Sequence, residues 1–236
     1  MREKLSAKKL QLYWIFLACM ILLSSGCGQA IYQLSGAKRA KVENIATIDQ
    51  FIQQQQIHFG PHWYIPNLPF DTVQNKFPNE FTYNQFFDES GVEWQAKDGD
   101  QDPFHFLHHA KNNDSLKQYY TPVEQSITSL TTKLNSIRSF IGAPLQPEEF
   151  KKAKFTILFP WNKYLYKALY KWDLTELEKT LKQYPVKVNL HLINYDFNQT
   201  WGLPLGAKVP VKKRFNKSDR SIEATYNILP LLQKKG

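Results

Sequence analysis

The sequence predicts an α/β domain, and three neighbouring stretches predict it. Phe155 to Phe159 is a continuous apolar run, the mark of a strand buried on both faces. Tyr164 to Gln183 carries Leu165, Leu169, Trp172, Leu174, Leu177 and Leu181 near helical spacing, until Pro185 stops it. "VKVNLHLINYDF" then alternates apolar with polar residues, as a strand with one more exposed face does. Strand, helix and strand in close succession make a right-handed βαβ unit. On the helix, Leu169 is expected to be buried over Ile157, with Lys167 and Lys171 facing solvent. At 236 residues, 42% hydrophobic and 14% aromatic, the chain can bury a sizeable core.

The elements before this unit read as α+β. "ATIDQFIQQQQI" is a short helix with Thr47 as its cap and Ile48, Phe51 and Ile52 on one face. "HFGPHWYIPNLPF" holds Pro61, Pro66 and Pro69 and is expected to be extended and irregular. "FTYNQFFDESGVEWQAKDGD" is a β-hairpin, with Gly91 supplying the positive φ its turn needs. "FHFLHHA" begins a short helix. Residues 115–141 are expected to include an amphipathic helix, with Leu130, Leu134, Ile137 and Ile141 near one face and Gly142 closing it. After the βαβ unit come a loop with Trp201 and Gly202, a strand at "KVPVKKRF" and a last helix from Ser221.

The N-terminus reads as a targeting segment. Arg2, Lys4, Lys8 and Lys9 precede an apolar run of fourteen residues, Leu10 to Leu23. A membrane-spanning helix needs about 20. Ser24, Ser25, Gly26 and Cys27 follow at once, and "LLSSGC" resembles the lipobox of bacterial lipoproteins. That resemblance implies a signal peptide over residues 1–26, cleaved after Gly26, and a diacylglycerol on the Cys27 thiol. The family prefers Leu three positions before the cysteine; here Ser24 stands there, with Leu23 one further out. Cleaved or retained as an anchor, the segment puts the rest of the chain on a membrane, facing out of the cytoplasm. Residues 27–43 are expected to be a tether and 44–236 the globular domain.

Two cysteines are present, Cys19 and Cys27. Residues 28–236 therefore hold no thiol, which excludes a disulfide, a CxxC pair, a cysteine nucleophile and a Cys-based zinc site. Removing residues 1–26 takes four basic residues and one acidic one, leaving 26 and 20 and a net charge of +6.

From about residue 140 to 236, the order of elements resembles the thioredoxin-like fold of redoxin-type lipoproteins. The resemblance implies that Pro210, in "KVPV", takes the place of that family's cis-proline. It also implies that the CxxC would fall within Asn162–Lys167, just after Trp161. The residues there are Asn-Lys-Tyr-Leu-Tyr-Lys, so the redox site is absent.

"DGDQDPFHFLHH" is the most polar constellation. On a helix, His105, His108 and His109 share a face, and Asp102 can add a carboxylate to a metal set. The same residues also fit a capped surface helix, with Asp102 as cap and Pro103 at its first position. His58, His62, Trp63 and Tyr64 fit either an aromatic binding groove or a core. Lys208 to Arg220 is a basic segment suited to anionic lipid or glycan. An extracytoplasmic location disfavours nucleic acid. There is no Gly-rich phosphate loop and no G-x-S-x-G, and no cofactor is expected. The reading is a membrane-anchored binding or scaffold protein with a redox-inactive domain. The alternative is a metal-binding protein or metal-dependent enzyme using the Asp98–His109 cluster.

Overall fold

The computed structural model describes residues 39–58, 60–71, 82–123, 134–215 and 222–233. The lipobox with Cys27, the tether through Lys38, Leu130 and the stretch from Asn216 to Ser221 lie outside them. The described chain is an α/β fold built on a mixed sheet of seven strands, ordered β4-β3-β2-β6-β7-β1-β5. The strands are β1 (His62–Tyr64), β2 (Gln85–Asp88), β3 (Glu93–Ala96), β4 (Tyr120–Val123), β5 (Arg138–Ser139), β6 (Phe155–Trp161) and β7 (Val188–Asn194). β6, β7 and β1 run parallel at the centre. An antiparallel meander, β2-β3-β4, extends one side, and β5 pairs with β1 at the other edge.

The expected βαβ unit is β6, a helical segment and β7. Along β6, Phe155, Ile157, Phe159 and Trp161 face one core and Leu158 faces the other, which explains the unbroken apolar run. β7 is more buried than its alternation suggests. From His191 to Asn198 every residue is buried, because the strand is central and covered on both faces. The first core is formed by α1 (Ile45–Gln55), α2 (Pro103–Ala110), α3 (Asn113–Tyr119) and α4 (Lys171–Lys182). The opposite face is filled by Phe150, Trp201, Leu203 and Ile228 from loops and short turns.

The helix over β6 departs from its expected phase. It opens with a π-helical turn, Tyr166–Tyr170, in which the Lys171 amide donates to the Tyr166 carbonyl. Tyr166 is buried against Phe51 and Trp161, at ring distances of 5.4 and 6.1 Å. Tyr170 meets Phe159 at 6.0 Å. The inward stripe is therefore Tyr166, Tyr170, Leu174 and Leu177. Leu169 is 52% exposed and Trp172 69% exposed, which corrects the expectation that they cover the strand. Ile157 is fully buried, and Lys167 and Lys171 are exposed, as expected.

Other elements also differ. α1 is capped by Asn44, not Thr47: Asn44 Oδ1 accepts from the Thr47 amide at 2.9 Å and Thr47 Oγ1 accepts from the Asn44 amide at 3.1 Å. Proline did not keep 58–70 irregular throughout, since His62–Tyr64 is a parallel strand. Gly60 makes that approach: a Cβ there would sit 2.5 Å from the Leu190 carbonyl oxygen. Of the helix expected within 115–141, residues 124–133 lie outside the described residues; Leu134 and Asn135 are helical, but β5 takes the place of its expected end and Ile141 is 93% exposed. β8 (Val211–Phe215) and β9 (Ile222–Tyr226) form a separate two-stranded sheet, where a last helix from Ser221 was expected. A helix, α5, is confined to Leu229–Leu232.

The domain also begins before residue 44. Ala40 and Val42 are buried, the Val42 amide donates to Ala207 O at 2.9 Å, and Glu43 bridges to Asn198. The globular domain thus includes residues from Ala40 on, inside the stretch 27–43 expected to be a tether. No helix among the described residues is long and apolar enough to cross a membrane.

Candidate functional site

The site grows from two loop-to-helix junctions beside the carboxyl ends of β3 and β6. Asp98, Asp100 and Asp102 form successive turns in which each Oδ1 accepts the amide two residues on, at 3.0 to 3.1 Å. The last of these turns caps α2, with Pro103 at its first position. Asn84 Nδ2 ties the loop to the sheet by donating to Gln101 O at 2.9 Å. Opposite, the π turn delivers Tyr170, Trp172 and Asp173 to the start of α4.

Between these walls lies a cleft of about 890 Å³, within the size range of small-molecule sites. Its aromatic lining comes from Tyr83, Phe104, Phe159, Tyr170 and Trp172. The Phe104 and Trp172 rings stand 6.3 Å apart, tilted by 47°. Its polar lining comes from Asp100, Asp102, Asp173, Asn84, Gln95 and Gln101. Gln101 Oε1 is enclosed and has no hydrogen-bond partner among the described residues. Burial, then the negative charge of Asp102, raises the Asp173 carboxyl above its ordinary value. The described lining contains no Lys, Arg, His, Ser or Cys. Such a wall offers aromatic faces and hydrogen-bond acceptors.

Of the four proposed metal residues the structure brings His105 and His109 together and leaves Asp102 and His108 apart from them. Asp102 is the helix cap. His105 Nδ1 lies 2.9 Å from Tyr120 Oη, and His109 Nδ1 lies 2.7 Å from Ser115 Oγ. The two remaining nitrogens, His105 Nε2 and His109 Nε2, meet at 3.2 Å. His109 also stacks on Tyr119 at 3.9 Å. Burial, then the neighbouring His105 and His108, lowers the His109 pKa. His108 is exposed, with its ring 4.9 Å from His109. Among the described residues no three His, Cys, Asp or Glu side chains are placed to hold one metal ion.

The other sequence candidates are dispersed. Trp63 and Tyr64 are buried, and the Trp63 indole donates to His191 Nδ1 at 2.9 Å. His62 is half-buried near Phe140 and Trp161. Trp63 and Tyr64 are core residues rather than a groove, and His58 is exposed beyond the end of α1. Trp161 is fully buried, with Phe51 stacked on it at 6.3 Å. Pro210 is exposed, no cis peptide occurs among the described residues, and the strand that follows it belongs to the β8-β9 sheet. Lys208 is exposed and bridges to Lys41.

A second polar centre lies where β6 and β7 end. Asp196 is buried, and its carboxylate accepts from Asn194 Nδ2 at 2.8 Å and from the Lys163 amide at 2.9 Å. Lys163 Nζ in turn binds Glu43 at 2.9 Å. Burial pushes the Asp196 carboxyl up to about 7, against the lowering effect of these hydrogen bonds. Sequence reading missed this residue, although a lone acid inside "LINYDF" was its signal. It also missed Trp172 and Asp173 as cleft residues, because Trp172 sat in the presumed buried stripe.

Comparison with known proteins finds no matching family model, no matching curated protein and no matching solved structure.

Proposed function

We propose that this is a membrane-anchored lipoprotein, facing out of the cytoplasm, whose α/β domain binds a ligand and carries out no thiol redox chemistry. The observation that carries the binding role is the cleft, which pairs aromatic faces with carboxylates and amides. The anchor rests on the basic residues, short apolar run and "SSGC" of the N-terminus. The absence of thiols after Cys27 supports the redox-inactive reading. The basic stretch from Lys208 to Arg220 gives the domain a second means of meeting anionic lipid or glycan. In a bacterial host, the full chain is expected to partition into detergent and to take up radiolabelled fatty acid. Cys27→Ser should abolish the label; a Cys27→Ser chain that is still processed and labelled would remove the lipobox reading.

One observation favours a second reading, metal binding. Two imidazoles on one tetrahedral zinc have nitrogens about 3.3 Å apart, close to the 3.2 Å between His105 Nε2 and His109 Nε2. Both Nδ1 atoms are held by hydroxyl groups, as outer partners hold metal-ligating imidazoles. On this reading, zinc titrated into the full chain binds at one equivalent and His109→Ala loses it. A chain that takes up no zinc at micromolar concentration returns the pair to a hydrogen-bonding role.

A further inference from the structure

The cleft's charge singles out one class of ligand. The chain as a whole is basic, at +9, yet the cleft has three aspartates and no described basic side chain in its lining. No basic side chain in that wall balances Asp100, Asp102 and Asp173, and Asp102 and Asp173 repel each other across it. Phe104 and Trp172 flank the same space, and aromatic faces attract ammonium groups. Gln101 Oε1 is an acceptor without a hydrogen-bond partner among the described residues.

We propose that the cleft binds an aliphatic polyamine, with ammonium groups on the aspartates and the methylene chain along Trp172 and Phe104. This inference rests on the ligand-binding reading of the cleft. An ammonium supplies only donors, which matches a wall of carboxylate and amide oxygens. More than one ammonium is required because the acids sit on two opposed walls, Asp100 and Asp102 before α2 and Asp173 on α4. A single metal ion is a poor match, since no three ligating side chains converge among the described residues. A neutral sugar would use the aromatic faces but leave the three negative charges unbalanced.

Isothermal titration of the detergent-solubilised full chain with spermidine tests this directly. Spermidine is expected to bind, and more weakly as salt is raised. Asp173→Asn is expected to weaken binding about tenfold, the equivalent of one charge-assisted contact. Trp172→Ala is expected to weaken it severalfold, as loss of an aromatic face does. Both side chains are at least partly exposed, so the variants should keep the wild-type circular dichroism and melt. Asp114→Asn, at an exposed site on α3, should bind like the wild type. Binding of chitotriose, lost in Trp172→Ala, with no binding of spermidine would overturn the polyamine assignment and leave the cleft as a ligand site. Spermidine binding indifferent to both cleft substitutions would overturn the assignment and the cleft reading together. Binding of neither probe would overturn the assignment.

Discussion

Leu174→Ala is expected to destabilise the domain by about 2–5 kcal/mol, whereas Leu169→Ala should change stability by less than about 0.5 kcal/mol. Leu174 is fully buried and belongs to the core shared with Phe155, Ile157 and Leu190. Truncation there removes apolar surface from a closely packed site and leaves a cavity that neighbouring strands cannot easily fill. Leu169 is 52% exposed on the π turn and gives up little on truncation. A domain of this size has a total stability of about 5–15 kcal/mol, so the first variant loses a large fraction of it. Urea melts of the two variants separate the phases of the helix. Equal and small effects would show that the tyrosine-led stripe does not cover the sheet. A larger loss for Leu169 would restore the phase read from leucine spacing alone.

The second large effect concerns Asp196. Its carboxyl is raised from 3.8 to about 7, burial being the main cause. Between those two values the folded chain holds a proton that the unfolded chain has released. Stability from this group is therefore fully present below the unfolded value and is lost as pH rises toward 7. An asparagine at this position has no proton to release in that range. The stability of the wild type relative to Asp196→Asn should accordingly fall by about 2–3 kcal/mol between pH 5 and pH 8. The comparison must be a difference, because other groups slope the opposite way. His191 is lowered to about 4, chiefly by burial, and its contribution is lost as pH falls. The groups facing Asp196 are Glu43 and Lys163, with the hydroxyls of Tyr164, Tyr170 and Tyr195 coupled to its charge. All of them remain in the variant, so their titrations cancel to first order. Parallel pH profiles for the two proteins would mean that Asp196 is charged in the folded state throughout this range.

What the sequence alone determined follows from local chemistry. Burial on both faces demands an unbroken apolar run, and Phe155–Trp161 is the central strand that such a run specifies. Gly91 and the Asp88 side chain encode the β2-β3 turn within a few residues. Asp102 and Pro103 start α2 for reasons confined to one helical turn. The absence of any thiol beyond Cys27 needs no fold at all. The tertiary structure decided the rest, wherever two local patterns competed or distant segments met. Leucines and tyrosines offered rival faces on the 164–183 helix, and the space between Phe51 and Trp161 selected the tyrosines. That choice turned Trp172 outward. The cleft exists because this outward face meets the Asp98–Asp102 loop, which lies far from it in sequence. Such a pairing leaves no periodicity in the chain. The proton affinity of Asp196 is likewise set by desolvation, and desolvation depends on which segments close over a residue rather than on its neighbours in sequence.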